Sequence, residues 1–206
     1  MIIAVDGPAA SGKGTLARRL ADHYGLAYLD TGSLYRAVAL AVLKSGQSPS
    51  DEAAALEAAR KLDRSAIVDE EIRGAGLGEA ASIVAAFAAV RQQMLGLQRK
   101  VALTPPGAVL DGRDIGTIVC PDADLKLFVT ASPEVRARRR VEELTARGEP
   151  ASLDEVLHWL IARDRRDETR PVAPLKLAPD AHLLDTSDLD IEATFQAAVS
   201  IIDRHK

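Results

Sequence analysis

The chain has 206 residues, 47% of them hydrophobic and 27% charged, which fits a single domain with a sizeable buried core. Its single cysteine, Cys120, excludes an intramolecular disulfide and a cysteine-rich metal cluster, and it indicates a reducing compartment. The net charge of −4 argues against nucleic-acid partners. No apolar run approaches the roughly 18 residues of a membrane span, so no membrane partner is expected. There is no basic signal-peptide region, and we expect a cytoplasmic protein. No exposed heptad or apolar stripe stands out, so we expect a monomer.

Short apolar segments alternate with amphipathic ones through the first half of the chain. A strand is predicted over residues 2–6 and, after a glycine-rich turn, a helix over 13–24. A second short strand, 27–30, leads into a helix over 31–44. Alanine-rich helices are predicted over 51–63, 79–91 and 91–101, and the stretch 64–78, with three glycines, is the least regular. The order of strands and helices is typical of βαβ units.

The second half repeats this alternation after a break at residues 105–107, which read Pro-Pro-Gly. Strands are predicted over 108–111, 124–129 and 181–185, and helices over 132–147, 152–170 and 189–204. Ser132, followed by proline and glutamate, has the composition of a helix N-terminus, and residues 152–155 have that of a capping box. Short buried strands between helices predict an α/β fold with a parallel sheet covered by helices on both faces.

The strongest motif lies between the first strand and the first helix. It consists of Gly7, Pro8, Ala9, Ala10, Ser11, Gly12, Lys13, Gly14 and Thr15. Two glycines five residues apart allow backbone N–H groups to point at a polyphosphate beside a helix N-terminus. Lys13 can reach the β and γ oxygens, and Thr15 can help to hold Mg²⁺, although Gly14 separates the two where the usual P-loop pattern has none. The motif predicts binding of a nucleoside triphosphate.

Composition excludes one element that reads guanine. The chain contains no asparagine, so it lacks an Asn-Lys-x-Asp element that reads guanine. This disfavours a GTPase switch.

Two groups of polar residues lie where a second, phosphorylated ligand could be held. Thr31 begins a helix, so its hydroxyl and the free N–H groups beside it can hold an anion, and Arg36 follows on the same helix. Arg113 and Asp114 follow a buried strand at its carboxyl end, where α/β sheets place ligands. Taken singly, the first group also fits an ordinary helix cap with a surface arginine, and the second a tight turn with an ion pair.

A third group lies on the helix near residue 165. Arg163, Arg166, Asp167 and Arg170 are spaced to share one helix face. Stacked arginines repel one another unless an anion neutralises them, although a solvated basic face is the alternative. A further run of arginines between residues 136 and 140 cannot share one face, so we expect one or two of them near ATP phosphates and the rest in solvent. Trp159 is expected to pack in the core or a lid rather than to stack on a base.

Four segments besides the phosphate loop resemble the cytidylate kinase family of P-loop kinases. They are Leu29–Arg36, Ala80–Phe87, Asp111–Thr117 and Arg163–Leu175, and they occur in family order over nearly the whole chain. The resemblance implies a P-loop NTPase fold, with ATP and CMP or dCMP as substrates and Mg²⁺ as the cofactor. It also implies in-line transfer of the γ-phosphoryl group of ATP, giving ADP and CDP or dCDP.

The resemblance also implies a role for each matching residue. Thr31, Arg36 and Arg113 would hold the acceptor phosphate; Ser82, Arg91 and Asp114 would read the cytosine; Arg163 and Asp167 would approach the sugar and Arg170 the phosphates. Lys13, Arg36, Arg113 and Arg170 would supply the positive charge around the transferred group. A carboxylate suits the N4 donor of cytosine, and donors suit its N3 and O2 acceptors.

The resemblance predicts one kinase domain, 1–206, with three parts. A core comprises 1–30, 104–147 and 175–206; an acceptor-binding region comprises 31–103; and a lid comprises 148–174. Bacterial members commonly carry a longer, β-rich insertion where this chain has only residues 64–78, so selectivity between CMP and UMP stays open.

Other functions fit part of the sequence. Another small-acceptor P-loop kinase, such as a UMP/CMP, shikimate or dephospho-coenzyme A kinase, would share the ATP site and differ on the acceptor side. An ATP-sensing binding module would need only one polyphosphate site, so the arginine groups on the acceptor side argue against it.

Overall fold

A computed structural model describes residues 1–74 and 76–205. Ala75, inside the short stretch 64–78, and Lys206, at the end of the predicted core, lie outside the described residues. Five parallel strands form one sheet in the order β2-β3-β1-β4-β5. They are β1 (Ile2–Asp6), β2 (Ala27–Asp30), β3 (Ala108–Gly112), β4 (Leu125–Thr130) and β5 (His182–Asp185). The parallel α/β architecture predicted from the sequence is confirmed.

Eight α-helices of the described chain pack around this sheet and beside it. They are α1 (Lys13–Tyr24), α2 (Thr31–Lys44), α3 (Glu52–Arg60), α4 (Leu77–Val84), α5 (Ala88–Leu103), α6 (Pro133–Ala146), α7 (Leu153–Thr169) and α8 (Ile191–Asp203). Short turns of 3₁₀ helix cover Arg64–Ala66 and Glu71–Arg73, and a π-helical turn covers Ile115–Val119. One apolar core lies between the sheet and helices α1 and α8, and a second lies among α2, α3, α4 and α5.

The predicted continuous helix over residues 79–91 is wrong. The helix α4 ends at Val84, and α5 begins at Ala88 at an angle of 98°. Nothing in the alanine-rich sequence breaks a helix here, so the cause is tertiary. Arg91 donates through Nη1 to the carbonyl of Ala85 (3.2 Å), and the extended Phe87 packs against the core of the helical region. Beyond the bend, Arg91 in the first turn of α5 donates to Asp114, which follows β3.

The end of α3 and the start of α7 also differ from the sequence-based predictions. The helix α3 ends at Arg60 rather than near Asp63, because the Asp63 carboxylate accepts from the backbone N–H of Ser65 and caps the next turn. Ser132 caps α6 as predicted, whereas the exposed Ser152 makes no side-chain cap at the start of α7. Residues 152–155 therefore do not form the predicted capping box.

No single helix within residues 1–74 and 76–205 is long and apolar enough to cross a membrane. The helices α4 and α5 meet that criterion only when taken together across their bend.

Strand register brings acidic residues to one edge of the sheet. Asp6, Asp30 and Asp111 lie at or near the carboxyl ends of β1, β2 and β3, and Asp30 is paired with Asp111 in the ladder. Asp6 is buried and accepts from the backbone N–H groups of Ile115 (2.8 Å) and Gly116 (2.7 Å). Its carboxylate therefore fastens the turn after β3 to the end of β1. Burial raises the pKa of Asp6 to about 7.

Asp6→Ala is expected to lower the free energy of unfolding by about 3 kcal/mol, because two buried N–H groups lose their acceptor. Urea denaturation followed by circular dichroism measures the change. Asp122→Ala, at an exposed position, is the control and is expected to stay within about 0.5 kcal/mol of the unmodified chain. Equal stability of the two variants would contradict the fastening role of Asp6.

Candidate active site

A cleft of about 1090 Å³ opens at the carboxyl ends of β1, β2 and β3. Its walls come from the loop over residues 7–15, from α2, α4 and α7, and from the turn after β3. Ligands of open parallel sheets bind at this edge, since the strands direct the following loops to one side. The cleft is therefore the candidate active site.

The loop over residues 7–15 has the backbone that a phosphate cradle requires. Gly7 has a φ of +153° and passes so close to β4 that a Cβ there would lie 2.0 Å from the carbonyl oxygen of Val129. Gly12, with a φ of +85°, precedes α1, and no side chain caps that helix. The Ser11 hydroxyl is buried without a hydrogen-bond partner. An anion at the start of α1 would meet uncompensated N–H groups.

Lys13 lies at the inner end of this loop. Its side chain is buried, and Nζ donates to the carbonyl of Pro8 (3.2 Å). Burial and, to a smaller extent, the charge of Arg113 lower the pKa of Lys13 to about 7, although Asp111 and Asp30 oppose the shift. A polyphosphate would favour the charged ammonium, so ligand binding and protonation of Lys13 are coupled.

This coupling predicts a pH-dependent affinity for ATP. Below pH 7 Lys13 is already charged; as the pH rises above about 7, it loses its proton and must regain it on binding. At pH values above 7, the dissociation constant for ATP is therefore expected to increase, approaching about tenfold per pH unit. Calorimetry at pH 8 in two buffers of different ionisation enthalpy should show proton uptake on binding. A Lys13→Arg variant, whose guanidinium stays charged, should take up no proton; equal uptake in both proteins would contradict the assignment.

Thr15 and Asp111, both in the cleft lining near Lys13, offer oxygen ligands for a cation. Thr15 is exposed in the cleft, and a Cβ on the preceding Gly14 would lie 3.3 Å from Oδ2 of Asp111. Tyr28 donates to that same oxygen (2.7 Å). Burial and the neighbouring negative charge of Asp30 raise the pKa of Asp111, so a cation here would relieve repulsion.

These residues fit Mg²⁺ that arrives with a nucleotide. A hydroxyl and carboxylates are ligands that Mg²⁺ prefers, and the ion usually takes its other ligands from phosphates and water. The described residues contain no group of three or more His, Cys, Asp or Glu side chains that could hold a metal alone. Thr15, predicted from the sequence, and Asp111, missed there, are the side chains that would hold it.

The start of α2 forms one side of the acceptor region. Asp30 caps α2 by accepting from the N–H of Ser33, and its other oxygen lies 2.6 Å from Nη2 of Arg36. Burial would raise the pKa of Asp30, but Arg36 and Lys13 outweigh it and hold the pKa below its usual value. Thr31 donates its hydroxyl to the carbonyl of Asp111 (2.7 Å). A phosphate bound at Thr31 would compete with that carbonyl for the hydroxyl proton.

A second group surrounds Asp114 in the turn after β3. Asp114 is buried and pairs directly with Nη2 of Arg91, and Nη2 of Arg170 lies 3.7 Å from its other oxygen. The Arg91 guanidinium lies over the ring of Tyr35, 5.5 Å from its centre. Two cations therefore orient one carboxylate deep in the cleft.

A third group is centred on Asp167 of α7. Its carboxylate accepts from Nε of Arg113 (2.9 Å) and from the hydroxyl of Ser82 (3.2 Å), and it lies 3.9 Å from Nε of Arg163. Burial would raise the pKa of Asp167, but Arg113, Arg163 and Arg170 together keep it below the usual value. Asp167 thus joins the turn after β3 to α4 and α7.

Several of these cations retain unused hydrogen-bonding capacity. Nε of Arg36, Nε of Arg163 and Nη2 of Arg170 are buried without hydrogen-bond partners, and all three residues line the cleft. Burial, with Arg113 nearby, lowers the pKa of Arg163 to about 10. Buried donors without acceptors are costly, and an anionic ligand would satisfy them.

The cleft brings together most of the residues predicted from the sequence. Its lining includes Ala9, Ala10, Lys13, Gly14, Thr15, Thr31, Arg36, Ser82, Arg91, Arg113, Asp114, Arg163, Asp167 and Arg170. Gly7, Pro8, Ser11 and Gly12 belong to the same loop but are not part of this lining. Arg166 faces Glu79 (3.7 Å) and is not part of the Asp167 group.

Among the cleft residues that sequence reasoning missed are four that make polar or ring contacts within the site. Tyr28, Asp30, Tyr35 and Asp111 all line the cleft. Asp30, Tyr35 and Asp111 each contact a predicted site residue, whereas Tyr28 donates to Asp111. Asp30 and Asp111 carried a signal that could have been used, because Asp30 is the last residue of β2 and Asp111 the last but one of β3, at the functional edge of the sheet. The two tyrosines carried none, since their partners are distant in sequence.

Comparison with known proteins supplies independent findings. A sequence model of a family described as cytidylate kinase matches residues 3–204. A cytidylate kinase of Bradyrhizobium diazoefficiens is 58% identical over 203 residues, covering 98% of this chain and 96% of its own. One from Azorhizobium caulinodans is 59% identical over 204 residues, covering 99% and 98%. Among solved structures, a shikimate kinase from Bacteroides thetaiotaomicron has a TM-score of 0.53 at 13% identity over 98% of both chains, which shows a shared fold alone.

Proposed function

The chain belongs to the cytidylate kinase family, and from that premise we propose that it transfers the γ-phosphoryl group of ATP to CMP and dCMP. The observation that carries the proposal is one cleft that joins a phosphate loop to an oriented carboxylate, Asp114, held between two arginines. A kinase needs both a polyphosphate site and an acceptor site within reach of each other. A nucleotide sensor would need only the first.

On the ATP side, backbone N–H groups of residues 7–15 and the start of α1 would bind the phosphates, and Lys13 would reach the transferred group. Thr15 and Asp111 would hold Mg²⁺ together with the nucleotide, and the ion would neutralise charge on the phosphate oxygens. Lys13 would add a second positive charge beside the phosphates.

On the acceptor side, Arg36, Arg113 and Arg170 would bind the CMP phosphate, and Thr31 would contribute at the start of α2. Arg163 and Asp167 would bind the sugar. Asp114 would accept from N4 of cytosine, with Arg91 and Ser82 donating to its acceptor atoms. Ser82 donates to Asp167 without a ligand, so this hydroxyl would have to change partner when the base enters.

The chemistry then needs alignment rather than a covalent intermediate. Lys13, Arg36, Arg113 and Arg170 would surround the in-line path with positive charge, which stabilises the transition state. No general base is required. Residues 148–174 would close as a lid and exclude water, so that transfer to CMP outcompetes hydrolysis.

The short stretch 64–78 does not set this chain apart from the two curated relatives named above. They are matched over 96% and 98% of their own lengths, so the chain lacks no large segment that they have. This supports an acceptor-binding region, 31–103, that functions at its present length. The division into core, acceptor region and lid stays a prediction, as do the monomeric state and the absence of nucleic-acid or membrane partners.

An ADP-release assay with ATP, Mg²⁺ and one acceptor at a time tests the proposal. CMP and dCMP are expected to be phosphorylated, with UMP slower and AMP and shikimate inactive. Turnover of shikimate or AMP without CMP would instead favour another small-acceptor kinase. Binding of ATP without turnover of any acceptor would favour a sensor.

A further inference from the structure

The arginines at the start of α6 lie in different environments. Arg138 is exposed, whereas Arg140 lines the cleft and donates to Glu143. Arg139 donates to the hydroxyl and carbonyl of Thr186 after β5. Arg136 is only 4% exposed and makes no part of the cleft wall. A buried guanidinium away from the nucleotide cleft requires its own explanation, because burying a charge is costly unless it is paired.

The guanidinium of Arg136 connects three segments. Nε donates to the carbonyl of Ala131, just after β4 (2.9 Å), and Nη1 donates to the carbonyl of Ala9 in the phosphate loop (3.2 Å). Nη1 also lies 2.7 Å from Oδ2 of Asp164 on α7, whose side chain is 14% exposed. The rigid, planar donor group of arginine can serve carbonyls and a carboxylate at once. Arg136 thus joins the loop, the sheet and α7.

The contact from Arg136 to the carbonyl of Ala9 lies next to a strained position of the loop backbone. Ala10 has a φ of +58°, a left-handed backbone conformation that residues other than glycine adopt rarely. Ala9 packs with Ala137, Val156 and Leu160 in a small apolar cluster between the loop and the helices α6 and α7. Such a conformation persists only where surrounding contacts determine it.

We propose that Arg136 is a positioning residue of the phosphate loop and that Asp164 orients it. Arg136 holds the carbonyl of Ala9, so the peptide between Ala9 and Ala10 keeps the orientation that directs the loop N–H groups toward a polyphosphate. Asp164 balances the buried charge and fixes the guanidinium in this position. Neither residue touches the nucleotide. The inference rests on the proposed function only in taking ATP as the ligand of the loop.

The test measures ATP binding by calorimetry without an acceptor and steady-state kinetics with CMP. Arg136→Met is expected to raise the dissociation constant and the KM for ATP about tenfold, while the KM for CMP changes less than about twofold. Asp164→Asn, which keeps the shape but removes the charge, is expected to weaken ATP binding about threefold. The double variant should match Arg136→Met rather than the product of the two effects, because Asp164 acts through Arg136.

The double variant, Arg136→Met with Asp164→Asn, leaves no unpaired buried charge at residue 164. ATP binding can therefore be measured on it even if Arg136→Met alone does not fold. Arg138→Met, on the exposed side of the same helix, is the matched control and should bind ATP as the unmodified chain does. A lower melting temperature with unchanged ATP affinity in the double variant would overturn the proposal. Tighter ATP binding by Asp164→Asn would also overturn it, since Arg136 would then contact phosphate directly. Failure of the unmodified chain to phosphorylate CMP, with ATP binding intact, would count against the proposed function alone.

Discussion

Lys13→Gln is expected to lower kcat/KM for phosphoryl transfer about 10³-fold while leaving the fold intact. Among the described residues that line the cleft, Lys13 is the only lysine, and it is buried against the loop that would bind the phosphates. Its charge acts where water is scarce, so it stabilises the transferred group far more than a surface charge would. Glutamine keeps much of the length and one hydrogen-bond donor but no charge. Initial rates at varied ATP and CMP concentrations measure the loss.

The control for this variant is Lys100→Gln, at an exposed position of α5. It removes the same charge from the chain and is expected to leave kcat/KM within about twofold. Calorimetric affinity for CMP should survive in Lys13→Gln, because Asp114 and Asp167 with their arginines are untouched. A Lys13→Gln enzyme with nearly normal kcat would contradict the role given to this residue.

Asp114→Asn is expected to lower kcat/KM for CMP about 10²-fold while the KM for ATP changes little. The carboxylate is buried and faces Arg91 and Arg170, so its loss weakens the orientation of both guanidiniums as well as the acceptor for N4. An amide can also donate a hydrogen bond, which suits O4 of uracil. Turnover of CMP should therefore fall more than turnover of UMP, so the ratio of CMP to UMP turnover should decrease. Competition between the two nucleotides in one assay measures that ratio directly.

Asp154→Asn, in the exposed first turn of α7, is the matched control and should preserve both the rate and the ratio. Weaker ATP binding by Asp114→Asn with an unchanged CMP to UMP ratio would refute the assignment of Asp114 to the base. Loss of both ATP and CMP binding would indicate collapse of the turn after β3 instead.

The parts of the structure that depend on local pattern were predictable. Strands of four to six residues between helices give a parallel sheet, and the carboxyl ends of such strands meet at one edge. This geometry is why the phosphate loop, the start of α2 and the turn after β3 could be placed in one cleft before their contacts were known. Helix caps at Asp51, Ser132 and Asp190 likewise depend on adjacent residues alone.

The parts that depend on contacts between distant residues were not predictable. The bend between α4 and α5 has no helix breaker in its sequence, and it coincides with the contact from Arg91 to the carbonyl of Ala85. The partners of Arg36 and Arg136, which are Asp30 and Asp164, could not be chosen among the 30 acidic residues by spacing alone. The arginines of α6 show this most clearly, since Arg136 is buried against the phosphate loop and Arg138 is exposed to solvent.

Trp159 gives the protein a built-in optical reporter. It is the only tryptophan of the chain, it lines the cleft, and the guanidinium carbon of Arg163 lies 5.2 Å from the centre of its ring. Indole emission depends on nearby charge, so a ligand that draws Arg163 toward an anion would change the fluorescence of this one residue. Occupancy of the acceptor side could then be followed in real time without a label, in the unmodified protein and in each variant described above.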